Sequence, residues 1–128
     1  MDYSLHQDQE TGIIVVVTSG KWTSQQDDEL LRKIISIDTQ GKPKLLLLDM
    51  RQLSADFSLS YIYHRTQFLE KKRERMDVPS FKAALVYDGT SPRVRQAFEF
   101  FETTVVNRGL PYRVFTEIEQ ARQWLMEA

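Results

Sequence analysis

A continuous apolar run, Leu45-Leu46-Leu47-Leu48, stops at Asp49 and is followed by a polar loop. Such a run, bounded by turn residues, is typical of a strand that is buried on both faces of a sheet. Open α/β sheets place their ligands or switches in the loops after such strands. The run therefore predicts a central strand over 44–49. It also predicts that a ligand site or switch lies in the loop after Asp49.

The rest of the chain alternates strand-like and helix-like segments. An antiparallel hairpin is predicted from strands over 3–7 and 13–18, with a turn at 10–12 and a break at Ser19-Gly20. The later segments are a helix capped by Thr23 or Ser24 and stopped by Gly41-Lys42-Pro43, a helix over 60–75, a strand over 82–87, a helix opened by Ser91 and Pro92, a strand over 112–115, and a helix capped by Thr116.

Strands that alternate with helices imply parallel neighbours and right-handed crossovers. The opening hairpin makes the sheet mixed. We therefore expect an α/β fold, with a mixed β-sheet of about five strands and about four helices. At 128 residues, the whole of 1–128 is expected to form one domain.

Charge and composition exclude several classes of function. Seventeen basic and eighteen acidic residues leave a net charge of −1, which argues against a general nucleic-acid or membrane-surface binder. The chain has no cysteine, so disulfides, thiolate catalysis and cysteine-ligated metals are excluded. No signal-peptide pattern opens the chain, and no apolar stretch approaches the roughly 20 residues of a membrane span. These observations predict a cytoplasmic protein without membrane insertion.

Three stretches give the chain a resemblance to a known family. They are Leu46-Leu47-Leu48-Asp49-Met50-Arg51, the hairpin followed by Gly20-Lys21-Trp22-Thr23, and the closing segment over 114–125. With the order of elements, they resemble the STAS domain of bacterial anti-sigma-factor antagonists, and more closely the SpoIIAA-like group of small bacterial proteins. The resemblance covers essentially the whole chain. It implies a STAS/SpoIIAA-like fold and a regulatory, non-catalytic role.

In the antagonists that the chain resembles, a serine after the Asp-ending strand is phosphorylated, and the phosphate blocks partner binding. The family motif there is Asp-Ser-Ser-Gly-Leu-Gly, and the matching stretch here is Phe57-Ser58-Leu59-Ser60-Tyr61. Phe57 replaces the leading acid and both glycines are missing, so the motif is eroded. Ser58 and Ser60 are candidate phosphoacceptors, because a helix N-terminus stabilises phosphate. The favoured alternative is that they are helix caps.

A candidate ligand or partner surface surrounds the same loop. It comprises Asp49, Arg51, Asp56, Tyr61 and Arg65. Asp49 either binds a ligand or accepts hydrogen bonds from the backbone or Arg51, and the second role is favoured. Arg65 falls in the middle of the apolar stripe of the predicted helix over 60–75. A buried guanidinium needs a partner, either an acid such as Asp49 or Asp56 or an anionic ligand, unless its stem carries it to solvent.

Ser91 and Arg93 form a weaker anion-site candidate at the start of a helix. This turn lacks the glycine-rich pattern and the lysine of a phosphate loop, so a capped turn is the better interpretation. The two histidines, His6 and His64, have no carboxylate at metal-ligand or triad spacing. We therefore expect no catalytic residues, no metal site and no cofactor.

Two functions compete. The first is a non-catalytic regulatory module that binds an unknown protein partner through the loop after Asp49. The second is a small-molecule or lipid-binding module with an apolar cleft beside the predicted helix over 60–75, lined by the aromatic side chains of Phe57, Tyr61, Tyr63 and Phe68. An enzyme is a distant third. A homodimer is also considered, because Phe100 and Val106 fall off the apolar stripe of their helix.

Overall fold

The computed structural model of the chain describes residues 1–54, Gln67, Lys71 and 81–127. The strands are β1 (Asp2–Gln7), β2 (Ile14–Lys21), β3 (Lys44–Ser54), β4 (Phe81–Val86) and β5 (Tyr112–Phe115). They form one sheet in the order β1-β2-β3-β4-β5. β1 is antiparallel to β2, and every other neighbouring pair is parallel. The predicted mixed α/β sheet with an N-terminal hairpin is therefore confirmed.

The helices within the described residues are α1 (Ser24–Ser36), α2 (Pro92–Asn107) and α3 (Ile118–Met126). The predicted helix over 60–75 lies outside the described residues, except for Gln67 and Lys71, which have helical backbone. None of the helices in the described part of the chain is both long enough and apolar enough to cross a membrane.

Local sequence explains how two of the helices begin. The Thr23 hydroxyl accepts a hydrogen bond from the backbone N–H of Gln26, and the Ser91 hydroxyl accepts one from that of Val94, both at 3.4 Å. These contacts satisfy donors that have no partner inside the first helical turn. Both predicted caps are confirmed. The predicted Thr116 cap is wrong, because α3 has Glu117 at its N-cap and no side-chain capping bond there.

Two predicted strand ends are also wrong. β2 continues through Ser19-Gly20, and β3 continues through Asp49 to Ser54, because Ser19–Lys21 pairs with Gln52–Ser54. Between these pairings the register shifts, so that Thr18 of β2 faces both Met50 and Arg51 of β3. Such a β-bulge bends a strand and redirects its side chains. The polar composition of 51–54 hid this extension, since backbone pairing does not require apolar side chains.

The sheet carries a core on each face. One face packs against α1 and α2, and its buried members are Ile14, Val16, Leu30, Ile34, Leu46, Ala83, Leu85, Tyr87, Ala97, Phe98, Phe101, Val105 and Leu110. The other face packs against α3, with Ile13, Val15, Leu47, Ala84, Val86, Ala121 and Leu125. Leu47, at the centre of the apolar run, has no solvent exposure. Burial of both faces explains why the run does not alternate with polar residues.

Two lysines near the beginnings of strands donate hydrogen bonds to carbonyls at the ends of helices. The ammonium of Lys44, which is only 6% exposed, donates to the carbonyls of Ile34 and Ile35 at 3.0 and 2.6 Å. Lys82 donates in the same way to Trp124 at 3.1 Å and to Glu127 at 2.9 Å. Carbonyls of the last helical turn lack the usual donor four residues further on, and a cation also suits the negative end of a helix dipole. The carbonyls of Ile34 and Trp124 also accept from the backbone N–H groups of the cap residues Ile37 and Glu127, both at 3.2 Å. Burial lowers the pKa of Lys44, and nearby Asp38 partly opposes that effect.

Candidate functional site

Asp49 and Arg51 form an ion pair at the carboxyl end of β3. The Arg51 guanidinium donates from Nε to Asp49 Oδ1 at 2.9 Å and from Nη2 to Oδ2 at 2.8 Å. The backbone N–H of Arg51 also donates to Asp49 Oδ1, at 3.2 Å. Asp49 therefore accepts a forked, charge-assisted pair of bonds, which is the strongest geometry available to a carboxylate and a guanidinium.

The sheet positions this pair. Asp49 lies on the α3 face of β3, two residues beyond fully buried Leu47. The buried Thr18 hydroxyl donates to the Asp49 carbonyl at 3.3 Å, directly at the bulge. The carboxylate side chain is 10% exposed and that of Arg51 is 46% exposed. The acid is thus held inside the sheet while the guanidinium lies at the surface.

The pair shifts the ionisation of both partners. The Arg51 hydrogen bonds and charge hold the pKa of Asp49 below its usual value, although burial works in the opposite direction. The Asp49 hydrogen bonds and charge raise the pKa of Arg51, and Glu117 at the start of α3 adds a smaller electrostatic contribution. Both groups therefore stay charged at neutral pH. Sequence reasoning missed Glu117, because nothing in the spacing from 51 to 117 indicates that the two residues approach.

Two roles were considered for Asp49, ligand binding and acceptance of hydrogen bonds from the backbone or Arg51. The structure contains the hydrogen bonds from Arg51. Both carboxylate oxygens accept from that one guanidinium. The membership of Asp49 and Arg51 in a ligand or partner surface stays a prediction. Ser58, Ser60, Asp56, Tyr61 and Arg65 lie outside the described residues. The predictions about phosphorylation, capping and the pairing of Arg65 therefore stay predictions, as does the apolar cleft lined by aromatic side chains.

The loop after β4 lies at the same carboxyl end of the sheet, and hydrogen bonds from nearby side chains hold its backbone. Asp88 accepts from the backbone N–H of Thr90 at 3.0 Å, which lowers the pKa of this acid. Arg95 donates to the carbonyl of Gly89 at 2.8 Å. The Ser91 hydroxyl caps α2, and Arg93 is exposed at the first turn of this helix. Ser91 is thus engaged as a cap, and the use of Ser91 and Arg93 as an anion site stays a prediction.

Other candidate groups are dispersed. His6 is exposed on β1, and His64 lies outside the described residues. Within 1–54 and 81–127, no group of three or more His, Asp or Glu side chains is placed to hold a metal ion. Phe100, considered for self-association, is partly buried against the core, whereas Val106 is 51% exposed.

Comparison with known proteins shows the fold. No family model matches the chain, and no curated protein matches it. An uncharacterised protein of the DUF3478 family with a SpoIIAA-like fold, from Shewanella loihica, has a similar structure at 19% identity with a TM-score of 0.59, over 97% of this chain and 92% of that one. An anti-sigma factor antagonist from Mycobacterium paratuberculosis is similar at 15% identity with a TM-score of 0.55, over 98% of this chain and 96% of the antagonist. The predicted STAS/SpoIIAA-like fold is therefore confirmed.

Proposed function

We propose that this chain is a non-catalytic regulatory module that acts by binding a protein partner, in the manner that its likeness to an anti-sigma factor antagonist suggests. The observation that carries the proposal is the extent of that likeness. The match covers 98% of this chain and 96% of the antagonist, so the likeness extends over nearly the whole length of both chains. Fold alone does not determine function, so the partner surface must be argued from this chain's own residues.

The surface we propose is the part of β3 that extends beyond β4. Pairing of β3 with β4 ends at Asp49 and Val86, whereas pairing of β3 with β2 continues to Ser54. We call the residues Arg51–Ser54 the β3 extension. Arg51, Gln52 and Ser54 are exposed, and Leu53 is half-buried. A polar surface with a small apolar component suits a reversible partner, since such interfaces are about as apolar as ordinary protein surface.

The ion pair makes Arg51 a suitable contact residue. Arginine is enriched among the residues that dominate binding energy. Its side chain ordinarily loses rotamer freedom on docking, and prior ordering reduces that cost. Here three hydrogen bonds to Asp49 already fix the residue. The outer side of the guanidinium, with 46% of the side chain exposed, remains accessible to an acidic group on a partner.

A charge insertion next to Arg51 tests the proposal and leaves both members of the Asp49–Arg51 pair in place. Gln52→Arg places a second cation on the β3 extension, and Gln123→Arg makes the same change on the exposed side of α3. Tagged wild type and both variants are incubated with lysate of the native host, and retained proteins are quantified by mass spectrometry. Any partner found is then purified, and its affinity is measured by calorimetry.

We expect wild type and Gln123→Arg to bind a partner equally, and Gln52→Arg to bind it about tenfold more weakly, as for a substitution near the centre of an interface. Equal binding by all three proteins would exclude the β3 extension as the surface. Retention of no protein at all would contradict the proposed function.

A further inference from the structure

β1 forms one edge of the sheet, and its backbone groups divide into two sets. The N–H of Asp8 donates to the carbonyl of Ile13 at 2.8 Å, which fixes the phase of the antiparallel pairing. Bonded and non-bonded pairs alternate along such a ladder. The backbone groups of Asp2, Ser4 and His6 therefore point toward β2. Those of Tyr3, Leu5 and Gln7 point away from it, along the outer edge of the sheet.

The opposite edge is protected by a side chain, whereas none of the described side chains is bonded to the outward-facing backbone groups of Tyr3, Leu5 or Gln7. Gln26 donates to the carbonyl of Met1, before β1 begins, at 2.8 Å. On β5, the Glu102 carboxylate accepts the backbone N–H of Val114 at 2.7 Å, which occupies an outward-facing donor. Proteins also protect edges with lysine, proline or a bulge. β1 contains none of these in Asp2–Gln7, and its register with β2 is unbroken.

The sequence of β1 is complementary to itself in one antiparallel register. With Ser4 opposite Ser4 of a second copy, Tyr3 faces Leu5 of that copy, and Asp2 faces His6. Two of the three outward-facing positions, Tyr3 and Leu5, then pair with each other and form about four backbone hydrogen bonds across the two-fold axis. Their half-buried side chains extend the apolar layer of the α1 side, since both pack against that core.

The other face of the same strands supplies hydrogen-bond complementarity. Asp2, Ser4 and His6 are exposed there. The imidazole of His6 is a donor for the Asp2 carboxylate of the other copy, and opposite partners across a strand pair are favourable. Moving the two-fold axis by two residues, from Ser4 to His6, would instead place His6 opposite His6 and lose both acid–imidazole contacts.

We infer that β1 pairs with β1 of a second copy of this chain, in the register that places Ser4 opposite Ser4, to form a two-fold symmetric dimer with one continuous ten-stranded sheet. This interface does not depend on the proposed partner-binding surface, because it uses a different strand.

Disulfide trapping tests the register directly, because the chain has no cysteine of its own. In the proposed register, Ser4 occupies a non-hydrogen-bonded pair across the axis, where Cα atoms lie about 4.5 Å apart, within the range of a disulfide. Ser4→Cys is compared under mild oxidation with Ser36→Cys, which places an exposed thiol at the end of α1. Cross-linking is followed by non-reducing electrophoresis at micromolar concentration.

We expect Ser4→Cys to form a covalent dimer rapidly and Ser36→Cys to remain monomeric. Sedimentation of the wild type should show a species of twice the 15.0 kDa chain mass. Equal cross-linking of the two variants, absence of the Ser4 cross-link, or a wild type that stays monomeric would each overturn the inference. Absence of the Ser4 cross-link is also the expected outcome if β1 pairs with a strand of another protein instead.

A charge swap provides an independent measurement. His6→Asp places two carboxylates opposite each other at each end of the paired strands, so it should weaken the dimer about tenfold. Combining it with Asp2→His restores an imidazole opposite each carboxylate and should restore the dissociation constant. If the double variant is as weak as His6→Asp, the register is wrong.

Discussion

Asp49 and Arg51 show how a residue acquires a role that its position in the sequence only suggests. An acid at the end of an apolar run is compatible with a ligand site, yet here both carboxylate oxygens are bonded to the guanidinium two residues further along. The pair lies beside the bulge, and Asp49 as a whole residue is only 7% exposed. Neither feature can be read from the residue types alone.

The ion pair leads to a prediction about stability and pH. Because the folded pKa of Asp49 is lowered, its contribution is present above the unfolded value, near 3.9, and is lost as pH falls through the folded pKa. Arg51→Met keeps the apolar stem but leaves the acid without its cation. We expect the free energy of unfolding at pH 7 to fall by about 1–2 kcal/mol, since the guanidinium is partly solvated.

Urea unfolding of wild type and Arg51→Met between pH 2 and pH 7 provides the measurement, and Arg93→Met is the control at an exposed arginine. The difference between wild type and Arg51→Met should shrink below about pH 4, while Arg93→Met follows the wild type throughout. A difference that persists unchanged to pH 2 would show that the loss comes from packing and not from the ion pair.

Among the elements, the loops after β4 and β5 are held unusually close. A Cβ atom added to Gly89 would lie 2.9 Å from Cγ2 of Thr116 and 3.2 Å from Nη2 of Arg95. The first distance is too short for any ordinary contact, so Thr116 or the loop must shift before a larger residue fits at position 89. The same methyl group belongs to the threonine that was wrongly predicted to cap α3.

This contact predicts a reciprocal pair of substitutions. Gly89→Ala should destabilise the fold by about 1–3 kcal/mol through overpacking. Thr116→Ser removes Cγ2 and should recover most of the loss when combined with Gly89→Ala, although alone it has little effect because Thr116 is exposed. Thermal unfolding of the four proteins in a double-mutant cycle measures the coupling. Additive losses would place the strain elsewhere, for example on Arg95.

The elements that sequence predicted correctly are those determined by local interactions. Ser91 and Pro92 begin a helix because the hydroxyl and the missing N–H act within one turn. The β3 extension was missed because its pairing with Ser19–Lys21 joins residues more than thirty positions apart. Lys44 was correctly predicted as the first residue of a strand, but its bonds to the carbonyls of α1 were not predicted, because they depend on tertiary structure.

At the scale of the whole molecule, the two edge strands of the sheet differ in how their outward-facing backbone groups are occupied. Glu102 of α2 occupies the outward N–H of Val114 on β5, whereas β1 lacks such a group among the described residues. An open edge of a sheet is a template for further strands. The protein thus restricts strand addition to one side, which favours a closed pair of chains over an open-ended assembly.

Removal of this protection should change association. Glu102→Ala frees the backbone N–H of Val114, and we expect it to promote aggregation beyond the dimer, measured by light scattering during prolonged incubation at elevated temperature. Glu99→Ala, on an exposed position of the same helix, is the control for loss of one negative charge. Equal aggregation of the two variants would indicate that net charge, and not the blocked edge, keeps the chains apart.

The contacts of Lys44 and Lys82 with helix ends predict an order of folding. Lys44 reaches a carbonyl ten residues earlier in the chain, whereas Lys82 reaches one 42 residues later. Closing the longer loop costs about 1.3 kcal/mol more in chain entropy. This difference predicts that the unit of α1 and β3 forms from nearby residues before α3 docks on the sheet. Because Ala121 and Leu125 of α3 complete the second core, a chain released before α3 is synthesised would leave that core exposed to water.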